Sequence, residues 1–215
     1  MSRSEPAPSI DATDEFDRQL ATLERLGYPE LAGVTTRTFR KHIKALKPYV
    51  ENLPAPREGA LTFVIVIKSQ WVDAARGMPL VVARGREGFT EFDAEELSRF
   101  RPIEGIELPE GPAYIAVDID AGASSLNMPP DEAAPAIEKA GRSFVTIDEG
   151  VALLTHYPDM LKTMNAFSLY GSRCGDRRVP AMWTSRGAPR LGWCWAGAPH
   201  TWMGTASLAA RLPAG

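Results

Sequence analysis

The side chains best suited to chemistry are concentrated in the last third of this chain. Between Phe167 and Thr205 lie both cysteines, four of the five tryptophans, His200 and the cluster Arg173/Asp176/Arg177/Arg178. An indole needs a matching cavity for its ring and an acceptor for its N–H, so tryptophans grouped beside charge suggest a built pocket. Arginine offers a rigid fork for a carboxylate or phosphate and stacks on aromatic rings. The segment therefore predicts a pocket walled by Trp183, Trp193, Trp195 and Trp202, with Arg173 and Arg177 holding an anionic or planar ligand. Each piece also has a structural reading, in which the indoles supply core to one sheet face and Asp176 forms an ion pair that pins the Gly171/Gly175 turn.

An imidazole titrates near neutrality and needs only a partner to be poised for proton transfer. His200, in a Gly/Pro-rich loop, is the first candidate acid or base, with Asp176 or His156 orienting or assisting it. His156 falls in the last turn of a predicted helix, where the dipole would favour a protonated imidazole, so capping competes with catalysis there. His42, among lysines and arginines, reads as solvated. Cys174, Cys194 and His200, with His156 or Asp176, include the residue types that bind zinc. The thiols are twenty positions apart and no C-x-x-C pair is present, so no metal residue is assigned. Cys194 is either a nucleophile or a small buried hydrophobe. Lys68, Asp118 and Asp120 sit at predicted strand ends, where open sheets place ligands or where a strand simply meets solvent.

These groups must be positioned by a chain of 215 residues, 44% hydrophobic and 24% charged, which is ordinary globular composition. The pattern predicts an α/β (α+β) fold, with a central mixed sheet, N-terminal helices and a C-terminal Trp-rich β-hairpin. One domain is expected over 13–215, helical over 13–50 and sheet-containing over 61–215, behind a disordered tail over 1–12. Thr13 is the expected cap of a first helix, and Thr35 or Thr36 of a second carrying Phe39, Ile43 and Leu46 on one face. LTFVIVI, residues 61–67, reads as a strand buried on both faces and as the centre of the sheet. Strands are expected at 79–83 and 112–119, and helices at 93–100, at 129–137 and from Thr146, where T-I-D-E is a capping-box pattern. VPAMWTS and RLGWCW form the hairpin across Arg186 to Pro189, and Pro180 argues for an edge strand or a bulge near the start of the first arm.

A net charge of −3 gives no general attraction to phosphate backbones, which disfavours a nucleic-acid partner. The longest apolar run is far short of the roughly 20 residues that span a bilayer, and the first residues lack the apolar segment of an export signal. A cytoplasmic protein with reduced thiols and no membrane partner is expected.

The segments TIDEGVALLTHYPDML, GSRCGDRRVPAMWTS and APRLGWCWAGAPHTWMG resemble an uncharacterised actinobacterial family with a Trp-rich carboxyl-terminal block, and the resemblance runs from ATLERLGYPELAG onward. It implies, by analogy, an accessory enzyme of secondary metabolism and transfers no catalytic residue or cofactor. The residues lead to a cytoplasmic small-molecule-binding protein performing acid/base chemistry in a Trp/Arg/His pocket, as a cyclase, isomerase or hydrolase without a nucleotide cofactor. The alternatives are a non-catalytic interaction or regulatory protein using the hairpin as an interface, as in a homodimer, and a Cys/His metal-binding protein. No cofactor is identified.

Overall fold

A computed structural model describes residues 11–161 and 166–213. The expected disordered tail lies mostly outside them. Asp11, rather than Thr13, caps the first helix, α1 (Ala12–Arg25), accepting the Thr13 N–H on Oδ1 at 2.7 Å. The helix α2 (Thr36–Lys44) is capped by Thr35 as its sequence indicates. Both helices lay apolar stripes, Phe16, Leu20 and Leu23 from one and Phe39 and Ile43 from the other, on the strand β1 (Leu61–Ile67). There follow α3 (Ala94–Arg99), β2 (Ala113–Ile119), α4 (Pro130–Lys139) and α5 (Ile147–His156). The C-terminal region supplies β3 (Ala166–Ser168), β4 (Arg178–Ser185), β5 (Ala188–Trp195), β6 (Met203–Thr205) and β7 (Ala210–Leu212). No helix among the described residues is long and apolar enough to cross a membrane.

The class is mixed α+β, with two principal sheets. One is antiparallel in the order β1-β2-β7. Its centre is β2, which corrects the expectation for β1. The continuous apolar run of β1 follows from burial on both faces: Phe63, Ile65 and Ile67 meet α1 and α2, while Val64 and Val66 belong to the core that includes Val151 and Leu154 of α5. A buried edge would leave backbone groups unpaired. Two side chains take the place of a further strand. Gln19 Nε2 donates to Phe63 O at 3.1 Å, Gln19 Oε1 accepts the Ile65 N–H at 2.8 Å, and His156 Nε2 lies 3.0 Å from Ile65 O.

The second sheet is mixed, in the order β6-β3-β4-β5 with Phe89–Thr90 added in parallel at β5. The hairpin turns through Arg186 and Gly187 alone, both at positive φ, while Ala188 and Pro189 already pair with Ser185 and Thr184. Pro180 sits on an interior strand, not on an edge. It lies outside the Ala181–Met182 stretch paired with β3, so its missing N–H removes no donor from that ladder. The strand expected at 79–83 is reduced to Val82–Ala83, because the chain first makes a tight turn over Met78–Leu80. At β6, a Cβ on Gly204 would lie 1.9 Å from Gly122 O, so this crossing requires glycine.

Candidate functional site

The register of the hairpin divides the tryptophans. Trp183 stands opposite Arg190 and shares a face with Gly192 and Cys194, while Trp193 and Trp195 point the other way. The Trp183 ring crosses Gly192, where a Cβ would come within 2.4 Å of it, and the Arg190 guanidinium lies 4.9 Å over that ring. Trp193 and Trp195 meet edge to face at 4.7 Å and are 39% and 52% exposed, so they enclose nothing. Trp202 packs on the small core that contains Val179 and Cys194, with the His200 ring 5.3 Å away. The expected four-indole wall is therefore absent, because residues at odd and even positions of a strand face opposite sides.

Asp176 and Arg173 have structural partners. Asp176 accepts from Arg178 N at 2.8 Å, Arg178 Nε at 2.9 Å and Cys174 Sγ at 3.2 Å, and so pins its turn. Arg173 stacks 4.9 Å over Tyr170 and donates to Asp176 O at 3.2 Å. Arg177 is exposed and runs beside Gly197. Burial pushes the Cys194 thiol up to about 11, which keeps it protonated and inert. Lys68 donates to Pro109 O, Asp118 pairs with Arg142 and Asp120 accepts the Gly122 N–H. Among the described residues no group of three or more His, Cys, Asp and Glu is placed to hold a metal ion.

His156 is fully embedded beneath β1, and burial pulls its imidazole down to about 4 against the hydrogen bond to Ile65 O. The sequence expectation of a protonated cap is thus reversed, since desolvation outweighs the helix dipole. Its Nε2 carries the proton for Ile65 O and its Nδ1 has no partner. Neutral His156 is a stability element with a definite pH signature. Below about pH 6.5 the unfolded chain takes up a proton that the fold refuses until about pH 4, so this contribution is complete above pH 6.5 and falls by about 3 kcal/mol as pH drops to 4. His156→Gln retains a donor for Ile65 O and removes the titration. Urea midpoints of the two proteins, compared from pH 7.5 to 4.5, should show wild type losing ground to the variant as pH falls; a constant difference would assign the imidazole a different environment.

A site of another kind opens where the end of β1 meets the start of α5. There a cleft of about 440 Å³ is lined on one side by Ser69, Thr146, Asp148 and Ser172 and on the other by Leu97, Phe100 and Arg101. Asp148 Oδ2 accepts the Ser69 N–H at 2.9 Å. Burial pushes this carboxyl up to about 6, overcoming that hydrogen bond, and the neighbouring Glu149 adds to the push. Ser172 Oγ accepts the Ile147 N–H at 3.0 Å, tying the helix start to the strand Ser172–Arg173. Thr146 Oγ1, in a residue only 3% exposed, faces the Glu149 N–H across the capping box, and its own proton has no acceptor. Behind them Glu149 anchors the helix: it accepts Thr146 N at 2.7 Å, Tyr114 Oη at 2.8 Å and Arg211 Nε at 2.6 Å.

None of the candidate site residues singled out from the sequence lines this cleft. Ser172 adjoins Arg173, and His156 ends the helix whose second residue is Asp148. The T-I-D-E pattern marked the helix start; the signal within it was the aspartate that the capping box leaves free at its second helical position. Residues 22–214 match the sequence model of a family of unknown function (DUF5701). No curated protein and no solved structure matches the chain.

Proposed function

The chain belongs to that family, and we propose that it is a cytoplasmic small-molecule-binding protein whose cleft at the head of α5 performs acid/base chemistry through Asp148, without a nucleotide cofactor. One observation carries this reading: a carboxyl pushed up to about 6 lines a cleft of about 440 Å³. Such a group exists in both protonation states near neutrality and serves isomerisation, cyclisation or hydrolysis as either acid or base. Perturbed carboxyls cluster at working sites because a structure with no use for them gains by replacing them. The free thiols of Cys174 and Cys194 suit a reducing compartment. A role in secondary metabolism rests on the resemblance of the carboxyl-terminal motifs alone.

The test is native mass spectrometry of the protein after incubation with the small-molecule extract of its producing cells, beside an Ala94→Trp variant. Ala94 is exposed at the first position of α3 and lines the cleft, so the indole fills the space with little strain on the fold. A small mass retained by wild type and lost by the variant, at equal thermal stability, is the expected result. Retention by both would place the ligand elsewhere.

A second reading, an interaction protein or homodimer, is favoured by the exposed Trp193/Trp195 pair on β5, whose pairing with Phe89–Thr90 is confined to Arg190 and Leu191. A native mass that doubles with concentration would support it.

A further inference from the structure

We infer that the cleft takes a small protonated amine with an apolar body, its ammonium paired with the Asp148 carboxylate. The inference rests on the cleft being the binding site and names the charge and shape of what it selects. The acidic side chains Asp73 and Asp148 line it, and the cations nearby are engaged elsewhere or turned away. Arg76 donates to Asp73 Oδ2 at 2.8 Å, Leu31 O at 2.8 Å and Trp71 O at 3.0 Å, and Lys68 Nζ donates to Pro109 O at 2.8 Å. Arg101 stands opposite Arg173 in a short ladder in which Pro102 stands opposite Ser172. Alternate residues of a strand face opposite sides, so its side chain leaves on the face away from Pro102 and Ser172, which line the cleft. The head of α5 offers an anion little, since its Ile147 N–H goes to Ser172 Oγ at 3.0 Å and its Glu149 N–H is held in the capping box.

The two carboxylates differ in what they leave free. Asp73 is committed to Arg76, accepting its backbone N–H at 3.1 Å as well as its Nε. Asp148 accepts the Ser69 N–H on Oδ2 and is partly exposed, which leaves Oδ1 for an ammonium. Burial pushes this carboxyl up to about 6, a push that Lys68 offsets only in part, and a bound ammonium supplies the missing charge. The wider field has the same sign. Residues 93–110 give the cleft Ala94, Leu97, Phe100 and Leu108, and they carry six carboxylates against two guanidiniums in a chain of net charge −3. A cleft walled in one sign of charge concentrates ions of the other. A bare divalent cation finds no cage, since among the described residues no three metal-ligating groups converge. Leu97, Phe100 and Leu108 supply instead the apolar wall against which the body of an organic cation packs.

Isothermal titration of the full chain tests the class with 2-phenylethylamine, tyramine, tryptamine and isoamylamine, each beside the alcohol and the carboxylic acid of matching skeleton. At least one amine should bind, and exchanging its ammonium for a hydroxyl or a carboxylate should weaken affinity by about tenfold or more. Asp148→Asn keeps an acceptor for the Ser69 N–H and should erase the preference for the amine without lowering the melting temperature. Ala94→Trp should abolish binding of every probe, since it fills the same space. An alcohol or acid that binds as tightly as its amine, a preference that survives Asp148→Asn, binding that survives Ala94→Trp, or no response to any of the amines overturns the inference. Capture from the cell extract of a mass that Ala94→Trp abolishes would, in that last case, leave the cleft standing and only its ligand class refuted; no capture would refute both.

Discussion

Asp148→Asn should make the protein more stable at pH 7 while removing acid/base activity from the cleft. In the fold the carboxyl titrates near 6, against 3.8 as its ordinary value, so holding it ionised at neutral pH costs up to about 3 kcal/mol. The partial exposure of Asp148 lowers that figure, and a gain of about 2 kcal/mol is expected on replacement. The amide oxygen of asparagine can still accept the Ser69 N–H, so the loop after β1 keeps its tether. The pH dependence fixes the cause. As pH falls through about 6 the folded wild type takes up a proton before the unfolded chain does, so its destabilisation fades, and the advantage of the variant should disappear by about pH 4. Chemical denaturation across that range is the measurement. A variant less stable than wild type at pH 7 would show that the carboxylate supports the fold, and would remove the main reason for assigning it a task.

Asp148 and His156 lie at opposite ends of one helix and act on stability with opposite signs between pH 6 and 4. The aspartate's burden is relieved by acid, whereas the histidine's contribution is lost to it. In wild type the two slopes largely cancel. Each single variant uncovers the other group: Asp148→Asn should steepen acid destabilisation, and His156→Gln should leave a protein that acid favours until its other carboxylates protonate. This opposition separates the two assignments, since an error in either would spoil only one of the exposed slopes.

What could be read from the residues depended on the range of the forces involved. Helix caps, the paired strands 61–67 and 112–119, and the hairpin are set by neighbours within a few positions, and their patterns placed them to within a residue or two. Strand order is not local. The position of β1 at an edge depends on Gln19 and His156, 46 and 91 residues from Ile65, arriving to satisfy its backbone. The site was misread for the same reason. Trp183 looked like a pocket wall in sequence because an indole is chemically rich, but its packing over Gly192 and against the Arg190 guanidinium consumes it. Asp148 looked like an ordinary first-turn acid. Its raised titration comes from burial that includes the Ser69 loop, 79 residues away, which no window around T-I-D-E contains.

Removing the Glu149 carboxylate should produce the largest loss of stability in the molecule's interior. Glu149 is 1% exposed at its side chain and Arg211 is 8% exposed, with 2.6 Å between Oε1 and Nε. Arg211 also donates to Ser143 Oγ at 2.7 Å and Phe144 O at 2.8 Å, so it cannot swing out to water without breaking the β7 end of the sheet. Glu149→Ala therefore strands a buried guanidinium, the Tyr114 hydroxyl and the Thr146 N–H together. Breaking a buried pair in this way costs about 3–5 kcal/mol, a large part of the roughly 5–15 kcal/mol that holds a domain folded. Adding Arg211→Met to Glu149→Met should return a substantial share of the loss, because the uncompensated charge is then gone. If the double variant were as unstable as the sum of the singles, the pair would not be coupled. The position of Glu149 one residue after Asp148 gives this network its bearing on the cleft: the same carboxylate that accepts Arg211 also fixes the Thr146 N–H and hence the first turn of α5. The costly buried ion pair thereby sets the place of the Asp148 carboxyl, and a partly folded Glu149 variant should lose ligand capture in the cleft before it loses its secondary structure.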